Sequence, residues 1–551
     1  MTQLQHWRLA ITPLSPVHMG TGEDYEPTGY VIDRGALYEF DGIAALQALP
    51  VAERERLGRM LEQRPNEDML RQVQSFFHQN RERLIAVSRH QVKVNSTIEA
   101  FYGERVGQVV QNEQGGRNVQ NKLEIERTAY TSASGAAILP GSGLKGAIRT
   151  ALLDAVNEGR PLPTPLKGDR QANRKLQEHL FKGKFHTDPL RLIRLGDAAL
   201  TKPDNFSTEV RFALNRKKQA VKNRDGVLVQ SQAEQHGLYQ LLECLPSFQA
   251  RAFDGSLSIQ GTGGVESQDW PESARRFRLP EITVACNRFY RPKLDAELKL
   301  LRSRGYLDTD WRQRLQSLLD GPVGQSLDAN NAFLLRVGRH SGAESVTLDG
   351  LRNIKIMKGK GEAEYLDHAK TLWLVGDERQ IQTNLQPFGW LLVEPFDDPS
   401  QLPPWQEDAG NPAIAAWRTD VRERQAEMAA KLEQERKREA ERKRAVEKAE
   451  FEATVRKAQL ESLSEEGRKI EGLRELFAKD KAVNRKQAGG ELASSLVALL
   501  KDAEENWQGQ ECAELADLAL EIYGFIGWPA SKKKRQRKAQ IEAIRKKSGQ
   551  E

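Results

Sequence analysis

The chain has 551 residues, three cysteines and a formal net charge of +6 at pH 7. Its length predicts about three or four domains, and its mildly basic composition permits a polyanionic partner without requiring one. The widely spaced cysteines exclude a disulfide framework and a local zinc knuckle. No apolar run approaches the roughly 20 residues of a membrane helix, and the N-terminal stretch lacks the apolar core of a signal peptide. We therefore expect a cytoplasmic protein without membrane contact.

Residues 1–128 alternate between strand-like and helical patterns around one glycine-rich turn. Apolar residues at every second position predict a half-buried strand that ends near Pro13. Two short apolar runs flank Asp33-Arg34-Gly35, which predicts a hairpin because glycine accepts a positive φ. Helices are expected over 43–85, and an exposed polar excursion over 103–128. The glycine-rich turn after the first strand contains the candidate ligand-contacting residues His18, Gly20 and Gly22.

A second glycine-rich turn, followed by a helix, organises the middle of the chain. The run Leu139-Pro140-Gly141-Ser142-Gly143-Leu144-Lys145-Gly146-Ala147-Ile148-Arg149 predicts a helix with one apolar stripe and a basic face. Unpaired first-turn amides and the close approach that glycine allows suit a phosphate. The spacing is not that of a nucleotide-triphosphate loop, and a purely structural helix start stays open. The candidate phosphate contacts are Gly141, Ser142, Gly143, Lys145, Gly146 and Arg149.

The third glycine-rich turn follows an apolar strand at 333–337. Before it, short strands are expected between 206 and 260, and a helix over 281–303 with a break at Pro292. Like the second turn, this turn has basic side chains that flank its glycines, so it is also a candidate phosphate-binding site. Its candidate RNA contacts are Arg336, Gly338, Arg339, His340 and Gly342.

The composition changes near residue 414. Charges of both signs interleave between Val421 and Glu450, which favours a solvated single helix, because apolar positions are too sparse for a coiled-coil seam. Apolar residues then recur at helical spacing and predict a small bundle that ends at Gly527-Trp528-Pro529. The basic run 532–538 is interpreted as either a solvated tail or an RNA-backbone contact.

Four motifs in a fixed order resemble the successive signatures of RAMP-superfamily CRISPR proteins. They are Thr12 to Gly22, Leu139 to Arg149, Gly338 to Gly342, and Phe388-Gly389-Trp390. Over roughly residues 1–400 the chain most resembles the fifth-subunit family of the type III-A Csm complex. The resemblance implies an α+β fold with RAMP ferredoxin-like (RRM-type) antiparallel sheets and helices. The patterns described above add a long charged helix and a small α-helical domain.

The predicted domain division combines the patterns with the resemblance. It has an N-terminal RAMP ferredoxin-like domain with insertions, a C-terminal RAMP-like region, a charged helical spacer, a small helical bundle and a basic tail. Their bounds are 1–260, 261–400, 414–460, 461–530 and 531–551. The extension from about 414 departs from the usual family length, so the resemblance gives it no role.

The resemblance implies a noncatalytic subunit that binds CRISPR guide RNA, caps its 3′ end and supports guide maturation and complex assembly. The implied partners are the guide RNA, other RAMP subunits and small helical subunits of a Csm complex, with target RNA as a further candidate. It implies no cofactor and no metal. Glycine turns and flanking cations hold phosphates without reading bases, so the sequence patterns agree with the RNA binding that the resemblance implies. Tyr25, Tyr30 and Tyr102 are candidates for base stacking, with core packing as the alternative.

Two other functions stay open from the residues. A metal-independent guide-processing endoribonuclease needs a general acid or base, and His18 and His340 are the candidate groups. Asp24 and Asp33 are weighed as well, because a related backbone subunit of such complexes cuts target RNA with a loop aspartate. The second alternative is an assembly scaffold that recruits a protein through residues 414–551.

Asp188 and Asp197 bracket a strand-like segment close to His186. Three such groups suggest a metal site, but no recognised ligand spacing joins them. Helix capping, or an ion pair with Arg191 or Arg194, is the simpler role for these carboxylates.

Overall fold

The computed structural model describes residues 4–62, 67–106, 110–112, 118–120, 123–161, 171–222, 225–229, 238–263, 267–359, 362–405 and 412–549. The chain divides into two compact units, Met1–Glu433 and Gln434–Glu551. Among the described residues, no helix combines the length and the apolarity that crossing a bilayer requires.

The first unit is built mainly from short strands. They are β1 (Leu4–Pro13), β2 (Gly20–Tyr25), β3 (Tyr30–Asp33), β4 (Ala36–Glu39), β5 (His90–Lys93), β6 (Val110–Asn112), β7 (Asn118–Gln120), β8 (Ile125–Thr128), β9 (Ile138–Leu139), β10 (Ile193–Leu195), β11 (Ala198–Leu200), β12 (Glu209–Lys217), β13 (Val221–Lys222), β14 (Leu228–Val229), β15 (Tyr239–Cys244), β16 (Phe253–Gln260), β17 (Phe333–Arg336), β18 (Ile354–Gly359), β19 (Glu362–Leu366), β20 (Thr371–Gly376), β21 (Gln386–Pro387) and β22 (Trp390–Phe396).

Helices occur in both units. Those of the first unit are α1 (Gly42–Ala48), α2 (Val51–Leu61), α3 (Glu67–Gln79), α4 (Arg81–Ala86), α5 (Ser96–Arg105), α6 (Gly141–Asn157), α7 (Ala172–Phe181), α8 (Leu279–Ser303), α9 (Thr309–Asp320) and α10 (Pro322–Asp328). The helix α11 (Pro412–Ser462) begins in the first unit and ends in the second, which continues with α12 (Glu465–Ala482), α13 (Glu491–Asn506), α14 (Gln510–Ile526) and α15 (Ser531–Lys546).

A seven-stranded sheet in the first unit has the ferredoxin-like order. β22, β1, β16 and β11 lie side by side, and each neighbouring pair is antiparallel. β10 also pairs with β16, and β17 extends the other edge beyond β22. α6 follows β1 and α8 follows β16 along the chain, and both helices share the core of this sheet. The arrangement is therefore βαββαβ with insertions, and the predicted α+β fold class is confirmed.

The insertions build a second, nine-stranded sheet. Its main path runs β2, β8, β15, β12, β5, β4, β3, and β20 and β21 extend it from β12. The predicted hairpin is confirmed as β3 and β4, in which Asp33 pairs with Ala36. The exposed excursion is wrong at its end, because β8 belongs to this sheet and Ile125 is buried. Residues 107–109, 113–117 and 121–122 of that excursion lie outside the described residues.

The strand β22 pairs with β1, so the last strand of the first unit completes the sheet that the first strand begins. The segments 1–260 and 261–400 thus contribute to one sheet. The five-part division of the chain stays a prediction about its sequence organisation.

α8 continues through Pro292, so the predicted helix break is wrong. A proline removes one backbone hydrogen bond and clashes with the carbonyl four residues earlier, that of Arg288. Pro292 and Arg288 both lie on the exposed side of the helix, where water can solvate that carbonyl. Phe289, Tyr290 and Leu294 are buried on the other side, and their packing holds the helix together across the proline.

The charged helix is confirmed as α11, which has 51 residues. Its first part is not solvated, because Val421 and Met428 are buried with residues of the β3–β4 hairpin. The indole Nε1 of Trp417 donates a hydrogen bond to the Gly35 carbonyl at 3.0 Å. The side chains of residues 433–459 are exposed, as expected for a single solvated helix.

The small bundle is confirmed for α12 to α14, but its predicted end at Gly527-Trp528-Pro529 is wrong, because α15 shares the same apolar core. Leu496, Leu515 and Ile522 are fully buried within it. The basic run 532–538 lies in α15 rather than in a solvated tail. Ile541 and Ile544 anchor that helix to the bundle.

Candidate nucleic-acid interface

Three loops that are far apart in the sequence converge on one cavity of about 530 Å³. They are the turn between β1 and β2, the start of α6, and the turn after β17. The cavity is lined by residues of these loops and of the adjoining strands β2 and β8, which are His18, Met19, Gly20, Gly22, Glu23, Glu126, Arg127, Pro140, Ser142, Gly143, Gly338 and Arg339.

Glycine is needed where these loops touch one another. Gly338 has a φ of +79°, and a Cβ there would lie 2.3 Å from the His18 carbonyl oxygen. The next residue, Arg339, donates its backbone N–H to the same oxygen at 2.9 Å. A Cβ on Gly143 would lie 2.5 Å from Cε of Met19. A side chain at Gly338 would push the loops apart because it meets backbone, whereas the flexible end of Met19 can move away from a side chain at Gly143. The close packing of the loops therefore depends on glycine at 338.

The backbone at the start of α6 is only partly free. The Gly141 N–H donates to Oδ1 of Asp197 at 2.7 Å, and the Gly143 N–H donates to the Pro140 carbonyl at 3.0 Å. In the described part of the chain the Ser142 amide has no protein partner, and Ser142 is exposed. A helix N-terminus with a free amide favours an anion. Ser142 is therefore the best-placed backbone donor of this turn.

The two cations of α6 have different roles. Arg149 donates from Nη1 and Nη2 to the two carboxylate oxygens of Asp188, at 2.6 and 3.2 Å, and to Gln177 at 3.0 Å. The predicted capping role of Asp188 is confirmed, because its Oδ1 accepts the Leu190 N–H at 2.8 Å at the start of a short 3-10 helix. Its ion-pair partner is Arg149 rather than the expected Arg191 or Arg194. Lys145 is half-buried and has no ion-pair partner among the described residues. Burial lowers the pKa of Lys145, and the nearby Arg149 lowers it further.

The cations of the third turn differ in the same way. Arg336 is buried, donates to Glu297 at 2.7 Å and to the Phe388 carbonyl at 3.0 Å, and lies over the Trp390 ring. We therefore remove Arg336 from the candidate phosphate contacts, and Arg149 with it. The Arg339 side chain is 43% exposed and donates to Glu126 at 2.5 Å. Arg339 is the cation of this turn that a ligand can reach.

His18 is fully buried at the base of the cavity. Its Nδ1 lies 2.7 Å from the Glu243 carbonyl oxygen. That oxygen accepts, so Nδ1 carries the proton and Nε2 of the neutral ring does not. Nε2 has no hydrogen-bond partner within the described residues and lies 3.9 Å from Glu126. Burial is the main cause that lowers the pKa of His18, against the opposing hydrogen bond to Glu243.

His340 faces another cavity, of about 660 Å³, together with Gly342. Its ring stacks on Trp373 with 4.5 Å between centroids, and its Nε2 lies 2.8 Å from Oε1 of Gln240. Burial, then the charge of Arg339, lowers the pKa of His340 to about 3. His340 is therefore neutral at pH 7 and acts as a packed anchor of the turn rather than as a charged phosphate contact.

A buried carboxylate that the sequence analysis did not select lies behind the cavity. Glu243 accepts hydrogen bonds from Tyr25 at 3.1 Å, the Thr128 amide at 3.0 Å and Thr208 at 2.6 Å. Burial raises the pKa of Glu243, but hydrogen bonds from His90 and Thr208 outweigh it and the pKa is lowered overall. One signal was available, since this glutamate interrupts the apolar run 241–245.

The candidate stacking residues are core residues instead. Tyr25, Tyr30 and Tyr102 are at most 4% exposed, and the Tyr30 hydroxyl donates to the Leu123 carbonyl at 2.6 Å. Core packing, the alternative given for these tyrosines, therefore holds and base stacking does not. Asp33 binds Arg81 at 3.2 Å and also pairs with Arg424, so it fixes the hairpin to α11.

The strand order and the loop-built cavity define a ferredoxin-like α+β protein with glycine-rich loops beside its sheets. The family model of the RAMP superfamily matches residues 10–307, which is more than half of the chain. The protein therefore belongs to the RAMP superfamily.

No curated protein matches the chain. Several solved structures are similar to it, including the following two. One is a chain of the cryo-EM structure of a Csm–crRNA–target RNA ternary complex of a type III-A CRISPR-Cas system, with 14% identity, 71% of this chain and 100% of that chain covered, and a TM-score of 0.45. The other is the crystal structure of Csm5 from T. onnurineus, with 15% identity, coverage of 69% and 99%, and a TM-score of 0.41.

Proposed function

We propose that this protein is a noncatalytic CRISPR RNA-binding subunit of a type III-A Csm interference complex in antiviral defence. In this role it caps the 3′ end of the guide RNA and supports guide maturation and complex assembly in the cytoplasm. Its partners are the guide RNA, other RAMP subunits and small helical subunits, with target RNA as a further candidate. The observation that supports the proposal is the convergence of three glycine-rich loops on one cavity.

The chemistry of the cavity suits an RNA backbone. Gly20 and Gly22 are exposed, so a ligand can approach their peptide groups closely. The Ser142 amide offers a hydrogen-bond donor at the positive end of the α6 dipole. Arg339 supplies charge within the cavity lining, and Lys145 lies on α6 three residues after Ser142, outside that lining. Groups of this kind hold phosphates and set position without reading base sequence.

The test of this interface is the salt dependence of RNA binding. We expect Lys145→Ala combined with Arg339→Ala to weaken the binding of different single-stranded RNAs to a similar degree. The slope of log affinity against log salt should fall by about 1.4, for two lost phosphate contacts. The matched control is Lys202→Ala with Lys222→Ala, which removes equal charge from exposed sites outside the cavity. Equal slopes for both variants would exclude the cavity as the interface.

The capping role is tested by the lengths of guide RNAs from cells that express the complete complex with or without this chain. Processed guides that are scarce or altered at their 3′ ends support a terminal cap or maturation factor. Accumulation of uncut precursor, together with cleavage by the purified protein, supports a guide-processing endoribonuclease instead.

One observation favours that second candidate. The unprotonated Nε2 of His18 has no hydrogen-bond partner in the described structure, as a general base requires. If the enzyme interpretation holds, His18→Ala should abolish cleavage while RNA binding is kept. The burial of this ring argues for the structural role, because a substrate hydroxyl must come within about 3 Å of a general base.

The scaffold alternative is tested by deletion. Because Val421 and Met428 of α11 pack in the core of the first unit, which extends to Glu433, the deletion has to begin at 434 rather than at 414. A scaffold predicts the loss of a protein partner while RNA binding by 1–433 persists.

A further inference from the structure

The helix α15 carries its positive charge at the end where the helix dipole disfavours it. Every charged side chain from 531 to 538 is a cation, and no acid occurs before Glu542. The free amides of a helix N-terminus add partial positive charge, so cations are normally placed at the other end. The cations are Lys532, Lys533, Lys534, Arg535, Arg537 and Lys538.

These cations also lack the compensation that other lysines of the same unit have. Lys443, Lys448, Lys457 and Lys501 each lie within 4.0 Å of a glutamate four residues later. In α15, the spacings 532/535, 533/537 and 534/538 place like charges next to one another, which is unfavourable. Lys532, Lys533 and Arg535 form no ion pair with any described residue. Two unfavourable features, cations at the helix N-terminus and like charges one turn apart, therefore occur in the same part of α15.

The bundle holds this unfavourable surface in a fixed position. Ile541 and Ile544 are buried and tie the later half of α15 to the core. Trp528 stacks on Tyr523 with 4.7 Å between centroids, and the ammonium groups of Lys534 and Lys538 lie 5.9 and 5.4 Å from its ring centroid. The exposed cations therefore project from a packed element beside a half-buried aromatic ring.

A surface of this kind is matched by a polyanion. Phosphates would relieve the repulsion between the cations and would also interact favourably with the helix N-terminus. A base of a single strand can stack near Trp528, which a double helix with paired bases does not permit. Exposed side chains of residues 531–536 are polar or charged, so no apolar surface favours a protein partner.

We propose that the N-terminal half of α15 is a second nucleic-acid site, which binds the phosphates of single-stranded RNA without sequence preference. Lys532, Lys533 and Arg535 are its main contacts, and Trp528 supports an adjacent base. This site goes beyond the proposed cavity function, because it lies in the second unit and uses side-chain charge rather than loop amides.

The test uses the full chain and a fluorescently labelled 30-nucleotide poly-uridine RNA. The variant is Lys532→Gln, Lys533→Gln and Arg535→Gln. The matched control is Lys443→Gln, Lys448→Gln and Lys457→Gln, which removes the same charge from α11 in the same unit. Anisotropy titrations between 50 and 200 mM salt should give a slope that is smaller by about 2 for the α15 variant and nearly unchanged for the control.

Repeating the titrations in the Lys145→Ala, Arg339→Ala background separates this site from the cavity. The α15 effect should persist there, whether or not the cavity binds RNA. Thermal unfolding of the second unit should occur at a higher temperature in the α15 variant, because cation repulsion is removed. If the α15 variant is folded and its salt slope of RNA binding equals that of the control, the proposal is overturned. Loss of an acidic protein subunit with unchanged RNA binding would overturn it in favour of a protein interface.

Discussion

The candidate binding surfaces of the two units differ in how they are built and in whether their charges are paired. In the first unit, three distant loops build a cavity, and most nearby cations are already paired inside the protein, as Arg149 is with Asp188. In the second unit, one helix carries six cations between residues 532 and 538, and no described residue forms an ion pair with Lys532, Lys533 or Arg535. A basic residue next to a glycine therefore does not identify a ligand contact, whereas an uncompensated run of charge within a packed helix is informative.

The comparison predicts different sensitivities. The cavity depends on backbone conformation and loop packing, so a single added methyl group should damage it at constant charge. The α15 surface depends on charge and should tolerate any uncharged side chain that keeps the helix.

The largest expected effect tests whether the units are separate folding units. Leu515→Ala removes a fully buried side chain from the bundle core, and we expect a loss of about 3 kcal/mol in the unfolding free energy of the second unit. Hydrogen exchange should show lost protection in residues 465–549 and unchanged protection in the first unit. Leu520→Ala, on the exposed side of the same helix, is the control and should cost less than about 1 kcal/mol. Lost protection in both units would contradict the division.

The second prediction breaks the cavity without changing its charge. Gly338→Ala combines a strained positive φ with a Cβ 2.3 Å from the His18 carbonyl, so we expect a loss of about 2 kcal/mol or more in urea unfolding. RNA binding should weaken as well. The control is Gly146→Ala, where nothing lies within 4 Å of the new Cβ. This exposed helical site should gain about 0.5–1 kcal/mol. Equal effects of the two changes would show that the loops do not depend on their close contact.

The third prediction separates the two cations of α6. Arg149→Ala leaves Asp188 without its partner in a half-buried site, so we expect a loss of about 1–2 kcal/mol in unfolding free energy. Lys145→Ala should change stability by less than about 0.5 kcal/mol and lower the salt slope of RNA binding by about 0.7. Measuring both quantities for both variants checks the assignment. A large stability loss for Lys145→Ala would assign that residue a structural role instead.

The fourth prediction concerns pH. The pKa of His340 is about 3 in the folded protein, against 6.5 as the ordinary value. Between these values the unfolded chain binds a proton that the folded protein does not bind, so stability falls as the pH falls. The contribution is complete above pH 6.5. Comparing the wild type with His340→Asn between pH 6 and 4, the difference in unfolding free energy should shrink by up to about 1.4 kcal/mol per pH unit. Parallel pH profiles would show that folding does not lower the pKa of His340.

Local patterns predicted the elements well, because periodicity reports which face of an element is buried. The first strand, the hairpin, α6 and the bundle follow from it. The exception at Pro292 shows that tertiary packing on one side of a helix can outweigh a local breaker on the other.

The site was less predictable, since its chemistry depends on partners that are remote in sequence. Arg336 and Arg339 flank the same glycine, yet one is buried against Glu297 of α8 and the other reaches the surface. The only sequence signal for Glu243 is that it interrupts an apolar strand. The separation of residues 18, 142 and 338 in the sequence does not predict that they line one cavity, because it depends on the insertions that lie between them.

The pairing of β1 with both β16 and β22 has a consequence for synthesis on the ribosome. β1 is made first, but β16 begins at Phe253 and β22 ends at Phe396. At roughly 5–20 residues per second, β1 waits on the order of ten seconds to a minute for its neighbours. α6 is made before either neighbour and can cover Leu9 and Ile11, but until β16 is made both edges of β1 are open to wrong partners. A nascent chain that stops before residue 396 therefore leaves the central strand open along one edge, and the timing of translation becomes part of how this protein avoids aggregation.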